Sequence, residues 1–83
     1  MTYKVVFKSS VARDLKKIDK SEARKILDKV EDVLSKRPDD YPVLKGQFAG
    51  FRRFRIGDYR VIYVIMDEEV LVLRIAHRKE VYK

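Results

Sequence analysis

The chain has no cysteine and one histidine among its 83 residues. The first absence excludes a disulfide framework and a thiolate metal site, and the second leaves no metal site built on histidines alone. No apolar run reaches the ~18 residues that a membrane span needs. The opening MTYKVVFKSS is too short and too polar for a signal peptide. The expectation is therefore a cytoplasmic protein with no membrane partner, no metal and no small-molecule cofactor. Repeats and low-complexity segments are also missing. Both prolines and two of the three glycines fall in one stretch, PDDYPVLKGQFAG, which reads as loop.

A hydrophobic fraction of 46% argues against bulk disorder. The length suggests one domain, 1–83, with one modest core and room for a shallow surface site. Twenty Lys+Arg against thirteen Asp+Glu give a net charge of +7, which favours polyanionic partners. From Ser10 to Arg37 nine basic and six acidic residues interleave, as on a solvated helical face. From Lys45 to Met66 five basic residues meet a single acid, Asp58.

Residues 2–8 read as a strand, ended by Ser9-Ser10. Either serine can cap a short helix carrying Val11, Leu15 and Ile18 and ending near Asp19. Asp19 or Ser21 then caps a second helix, with Glu22 in its first turn. Ala23, Ile26, Leu27, Val30, Val33 and Leu34 form its apolar stripe, and Pro38 stops it near Lys36. Three strand-like runs follow the loop: 51–56, 59–66 and 70–77. Gly57-Asp58 suits a two-residue type II′ hairpin loop. The order β-α-α-β-β-β predicts an α+β two-layer domain, a helical hairpin packed on an antiparallel sheet. The edge joined by the first strand is not readable from the pattern.

A two-residue turn sets the pairing of the hairpin. Arg55 then faces Arg60, Phe54 faces Val61, Arg53 faces Ile62 and Arg52 faces Tyr63. Alternation puts Phe51, Arg53, Arg55, Arg60 and Ile62 on one side and Arg52, Phe54, Tyr59, Val61 and Tyr63 on the other. Like charges directly opposed destabilise a sheet. An arginine can instead lie flat, its stem covering apolar surface. Three on one side, two of them opposed and with no carboxylate among them, point to an anion from outside. Guanidinium groups match phosphate in bidentate fashion, so phosphate is the expected ligand.

The chain closes on RIAHRKEVYK. His77 and Arg78 end the last strand, at the border of the basic side. A histidine there is placed to move a proton near neutral pH. Tyr82 can stack on a base or pack on the sheet edge. Arg74, mid-strand, is expected to face away from His77 and to be structural; Tyr3, Tyr41 and Phe48 are expected to pack.

LKGQFAGFRRFRIGDYRVIYVI followed by HRKEVY resembles the RelE/ParE superfamily of toxin–antitoxin toxins, and within it the RelE-type mRNA interferases. The resemblance spans nearly the whole chain. It implies the small microbial-RNase-like α+β fold, a cognate antitoxin, and metal-independent cleavage of mRNA in the ribosomal A site, inhibiting translation. On that pattern Arg60 contacts the scissile phosphate, and Arg53 and Arg55 match the basic positions of the preceding strand. Arg78 matches a basic residue linked to phosphate or leaving-group contact, and Tyr82 the tyrosine that orients substrate. His77 is a candidate acid or base. Lys45 and Arg52 join Arg53, Arg55 and Arg60 as expected RNA contacts. Phe51 stands where some RelE toxins carry a further lysine, and no carboxylate supplies an obvious base. Two other functions fit the same residues: a ParE-like gyrase poison and a non-catalytic RNA-binding module.

Overall fold

In the computed structural model, which describes residues 2–44 and 50–77, the elements run β1 (Lys4–Phe7), α1 (Ser9–Lys16), α2 (Lys20–Leu34), a 3-10 turn (Pro38–Asp40), β2 (Arg52–Ile56), β3 (Tyr59–Met66) and β4 (Glu69–His77). The strands form one sheet in the order β1-β4-β3-β2. Strands β2, β3 and β4 make the expected antiparallel meander. β1 pairs parallel with β4, Val5 beside Val70 and Phe7 beside Val72, so the four-stranded sheet is mixed. Most of the chain separates these two strands, and no tight turn constrains their relative direction.

Two tight turns set the meander. Gly57 has φ +56° and Asp58 does not share the positive sign, as a type II′ loop requires. Ile56 meets Tyr59 and Arg55 meets Arg60, in the register expected from the sequence. The second turn, Asp67-Glu68, holds Asp67 at φ +57°. Met66 pairs with Glu69, one residue earlier than the sequence suggested for the start of β4.

The helices cover one side of the sheet. Ile26, Val30 and Leu34, one turn apart on α2, are buried together with Val11 of α1. They meet Phe54, Val61, Tyr63, Val70, Val72 and Ile75 from the strands. Each fully buried side chain of this kind contributes about 1.5–3 kcal/mol relative to exposure. The Tyr63 hydroxyl donates to the Pro38 carbonyl, tying the 3-10 turn to the core. Burial raises its pKa well above the usual tyrosine value, because the phenolate would have to be desolvated.

Capping follows the sequence in one helix and departs from it in the other. Asp19 caps α2: its Oδ2 accepts from the Ser21 backbone N–H (3.2 Å) and from Ser21 Oγ (2.6 Å). The Ser21 hydroxyl holds the Asp19 carboxyl below its ordinary pKa. At α1 the N-cap is Lys8, without a side-chain cap, and both serines lie inside the helix. Ser10 Oγ donates instead to the Leu73 carbonyl at 2.6 Å. β1 stops at Phe7, and among the described residues no strand pairs with β4 on that side from Leu73 onward. Side chains of α1 take over: Ser10 satisfies the Leu73 carbonyl and Asp14 Oδ2 accepts from the Ile75 N–H at 2.9 Å. The helix thereby covers an edge that would otherwise be open to another chain.

Candidate functional site

The β2–β3 hairpin builds the site. Arg53 and Arg55 leave β2 away from the helices, and Arg60 leaves β3 on the same side, directly across from Arg55. Together with Tyr41, Pro42 and Phe54 they line a recess of about 240 Å³. Among the described residues lining it there is no carboxylate. Tyr41 packs on Phe54, ring centroids 4.6 Å apart, which gives the recess an aromatic wall. Arg55 Nε donates to the Gly57 carbonyl at 3.3 Å, and that bond holds the stem of the side chain against the hairpin turn. Arg60 Nε is buried. The arrangement places three arginine side chains along one recess, and guanidinium groups suit a phosphate.

Two other expected members lie elsewhere. Arg52 points to the helix side, where its Nη1 donates to the carbonyls of Tyr41 (2.6 Å) and Asp39 (3.2 Å). It fastens the connecting loop to β2 and does not line the recess. His77 is also on the helix side, edge-on to Tyr59 with centroids 5.4 Å apart. The cause is an irregularity in the β3–β4 ladder: Ile62 pairs with Arg74 but Tyr63 pairs with Val72, so Leu73 is an extra residue. A β-bulge inverts the alternation beyond it. Without the bulge His77 would share the side of Arg60; with it His77 joins Ile75 and Tyr59. Lys45, Arg78 and Tyr82 lie outside the described residues.

Arg74, expected to be structural, is. Its Nε and Nη2 reach Asp14 Oδ2 and Oδ1, each at 2.9 Å, a bidentate pair across to α1. The Asp14 carboxylate is buried and also holds the Ile75 N–H. Sequence reasoning missed Asp14. No sequence pattern singles it out: Asp14 is one of several acids on the helices, and its partner Arg74 lies 60 residues away.

Comparison with known proteins bears on the family and the fold. Residues 5–82 match the family model described as the ParE toxin of the type II toxin–antitoxin system parDE. Toxin RelG of Mycobacterium tuberculosis is 33% identical over 86 residues, covering 100% of this chain and 99% of that protein. The toxin–antitoxin complex RelBE2 of Mycobacterium tuberculosis contains a chain with a TM-score of 0.85 and 30% identity, covering 94% of this chain and 100% of that one. In the archaeal RelE–RelB complex of Pyrococcus horikoshii the figures are 0.72 and 31%, over 96% and 99%. The chain therefore belongs to the ParE toxin family of type II toxin–antitoxin systems, and within the RelE/ParE superfamily it is a RelE-type toxin.

Proposed function

We propose that this toxin is a ribosome-dependent endoribonuclease that cuts mRNA in the A site and so stops translation in the cytoplasm. The 2′-hydroxyl of one nucleotide gives its proton to water and attacks the adjacent phosphorus, the bond to the 5′-oxygen breaks, that oxygen takes a proton from water, and a cyclic phosphate remains on the upstream fragment. The observation that carries the reading is that Arg53, Arg55 and Arg60 all line one recess of the hairpin. A crowded, doubly charged phosphorane needs such charge stabilisation. No metal ion is required in this scheme, because the guanidinium groups supply the positive charge.

Arginines remain protonated and do not accept the 2′-hydroxyl proton. In this proposal the arginines stabilise charge, Arg78 contacts the phosphate or the leaving group, and Tyr82 orients the substrate. Lys45 adds a phosphate contact along the RNA. The bulge in β4 puts His77 on the other side of the sheet from the arginines, which argues against His77 as the base at that phosphate. The RelBE2 and RelE–RelB relatives were solved as toxin–antitoxin complexes, and a cognate antitoxin is proposed here on that likeness.

A second reading, poisoning of gyrase, is favoured by the ParE description of the matching family. One experiment separates the two. The toxin is added to a cell-free translation extract, and primer extension maps the mRNA while plasmid supercoiling is followed in parallel. Cuts at codon positions that vanish when ribosomes are removed support the proposal. Intact mRNA with lost supercoiling supports the gyrase reading instead.

A further inference from the structure

The bulge that removes His77 from the arginines creates a second recess, about 170 Å³, at the same end of the sheet but on the helix side. Its lining is Asp14, Lys17, Ile18, Tyr59, Ile75 and His77. Two aromatic rings, Tyr59 and His77, stand edge-on to each other in its wall. Ile18 and Ile75 provide an apolar floor. Lys17, the C-cap residue of α1, is exposed and brings a cation. Asp14 also borders the space, yet both its oxygens are taken, Oδ1 by Arg74 and Oδ2 by Arg74 and the Ile75 N–H. Its charge is offset by Arg74, so it does not turn the recess into an acidic one.

The recess adjoins the phosphate site through the backbone. Tyr59 and Arg60 are consecutive in β3, and their side chains leave the sheet on opposite sides. Tyr59 pairs with His77 one residue along β3 from the Arg55–Arg60 pair, so a strand of RNA that reaches both sides crosses the sheet at this end. Every base has a face that stacks on an aromatic ring, and basic side chains follow the phosphates of a single strand.

We propose that this recess receives one nucleotide flanking the phosphate held by the arginines, its base against Tyr59 and His77 and its phosphate beside Lys17. The inference rests on the reading of RNA as the substrate, and it assigns His77 to substrate positioning. Its ligand is a nucleotide within single-stranded RNA, and the recess would select among bases at that one position.

The test uses the full chain and a short, uncleavable 2′-O-methyl oligoribonucleotide, with binding read by fluorescence anisotropy. Lys17→Glu reverses the charge at the rim, and Tyr59→Leu removes a ring while keeping apolar bulk. Lys25→Glu, on the exposed side of α2, makes the same change in net charge away from the recess. Thermal melting confirms that each variant is folded. Stacking on an aromatic ring is worth enough that Tyr59→Leu weakens binding about fivefold or more. Lys17→Glu weakens it by a similar factor, and Lys25→Glu by much less. In the cleavage assay Tyr59→Leu relaxes the base preference at one position beside the cut and raises KM more than it lowers kcat.

Equal losses for Lys17→Glu and Lys25→Glu would reduce the effect to net charge and overturn the inference. So would unchanged RNA affinity in both recess variants, or a loss confined to binding of a partner protein. A parent chain that does not bind the oligonucleotide overturns it as well. A parent that binds RNA through the recess but leaves mRNA intact overturns the cleavage reading and leaves this inference standing.

Discussion

Arg74 and Arg55 leave the same side of one small sheet and meet opposite circumstances. Arg74 finds the buried Asp14 carboxylate at 2.9 Å through two nitrogens. Arg55 finds Arg60 across the ladder, with Arg53 two residues along the same strand and all three lining one recess. The first arrangement is complete within the chain and positions α1 on the edge of β4. The second sets like charges directly against each other, which costs the sheet some stability. The difference teaches where to look for function: Arg74 ties a helix to the sheet, and three arginines lining one recess concentrate positive charge that suits a ligand of opposite sign.

The largest expected effect is on chemistry. Arg60→Ala lowers mRNA cleavage about 100–1,000-fold, the usual consequence of removing a charge-stabilising donor. Arg60→Gln, which keeps most of the stem, gives a similar loss with less disturbance of packing. Primer extension against a dilution series of the parent toxin measures it, and undiminished cleavage breaks the comparison.

Asp14→Ala tests the other half. It strands the Arg74 guanidinium and the Ile75 N–H, and costs about 2–4 kcal/mol of stability. The half-exposed Arg74 side chain, 48% accessible, can turn to water, which keeps the figure below that of a fully buried pair. Urea unfolding monitored by circular dichroism reads the change. A loss under ~0.5 kcal/mol would mean that the internal pair matters no more than a surface one.

Tyr63→Phe has a smaller effect, about 0.5–1.5 kcal/mol, from the lost bond to the Pro38 carbonyl. Its signature is pH dependence. The native state keeps the Tyr63 proton because its pKa is raised, while the unfolded tyrosine ionises near ~10. Above that value the unfolded state binds fewer protons, so stability falls as pH rises. It is fully present below pH ~10 and lost progressively towards the raised native pKa. The Phe variant loses this part of the alkaline slope, which denaturant melts at increasing pH would reveal.

The smallest effect sharpens the contrast. Arg55→Gln removes the opposed pair and raises stability by a few tenths to about 1 kcal/mol while lowering cleavage. Gain of stability with loss of activity is the pattern expected where a site carries strain for function.

The hairpin was legible because one residue determines it. Gly57 can adopt φ +56°, the loop is then two residues long, and the facing of Arg55 and Arg60 follows. The stripe on α2 was legible from spacing, and its cap was narrowed to Asp19 or Ser21, of which Asp19 holds the position. The direction of β1 was not, since no local turn connects it to its partner. Nor was the position of His77, which depends on a single extra residue, Leu73, in a strand whose edge is completed by a helix. The surroundings of Arg52 were hidden for a different reason. Sequence alternation separates it from Arg53, Arg55 and Arg60, but only the path of residues 39–41 shows backbone carbonyls waiting for its guanidinium.

The claim at the centre is that the arginine trio of the hairpin binds a phosphate-like anion. Thermal melting in phosphate against chloride at constant ionic strength tests it most directly, with the parent and Arg55→Gln side by side. The account predicts that phosphate raises the melting temperature of the parent and that the increment shrinks or disappears in Arg55→Gln. An equal increment in both proteins, or none in the parent, would contradict it.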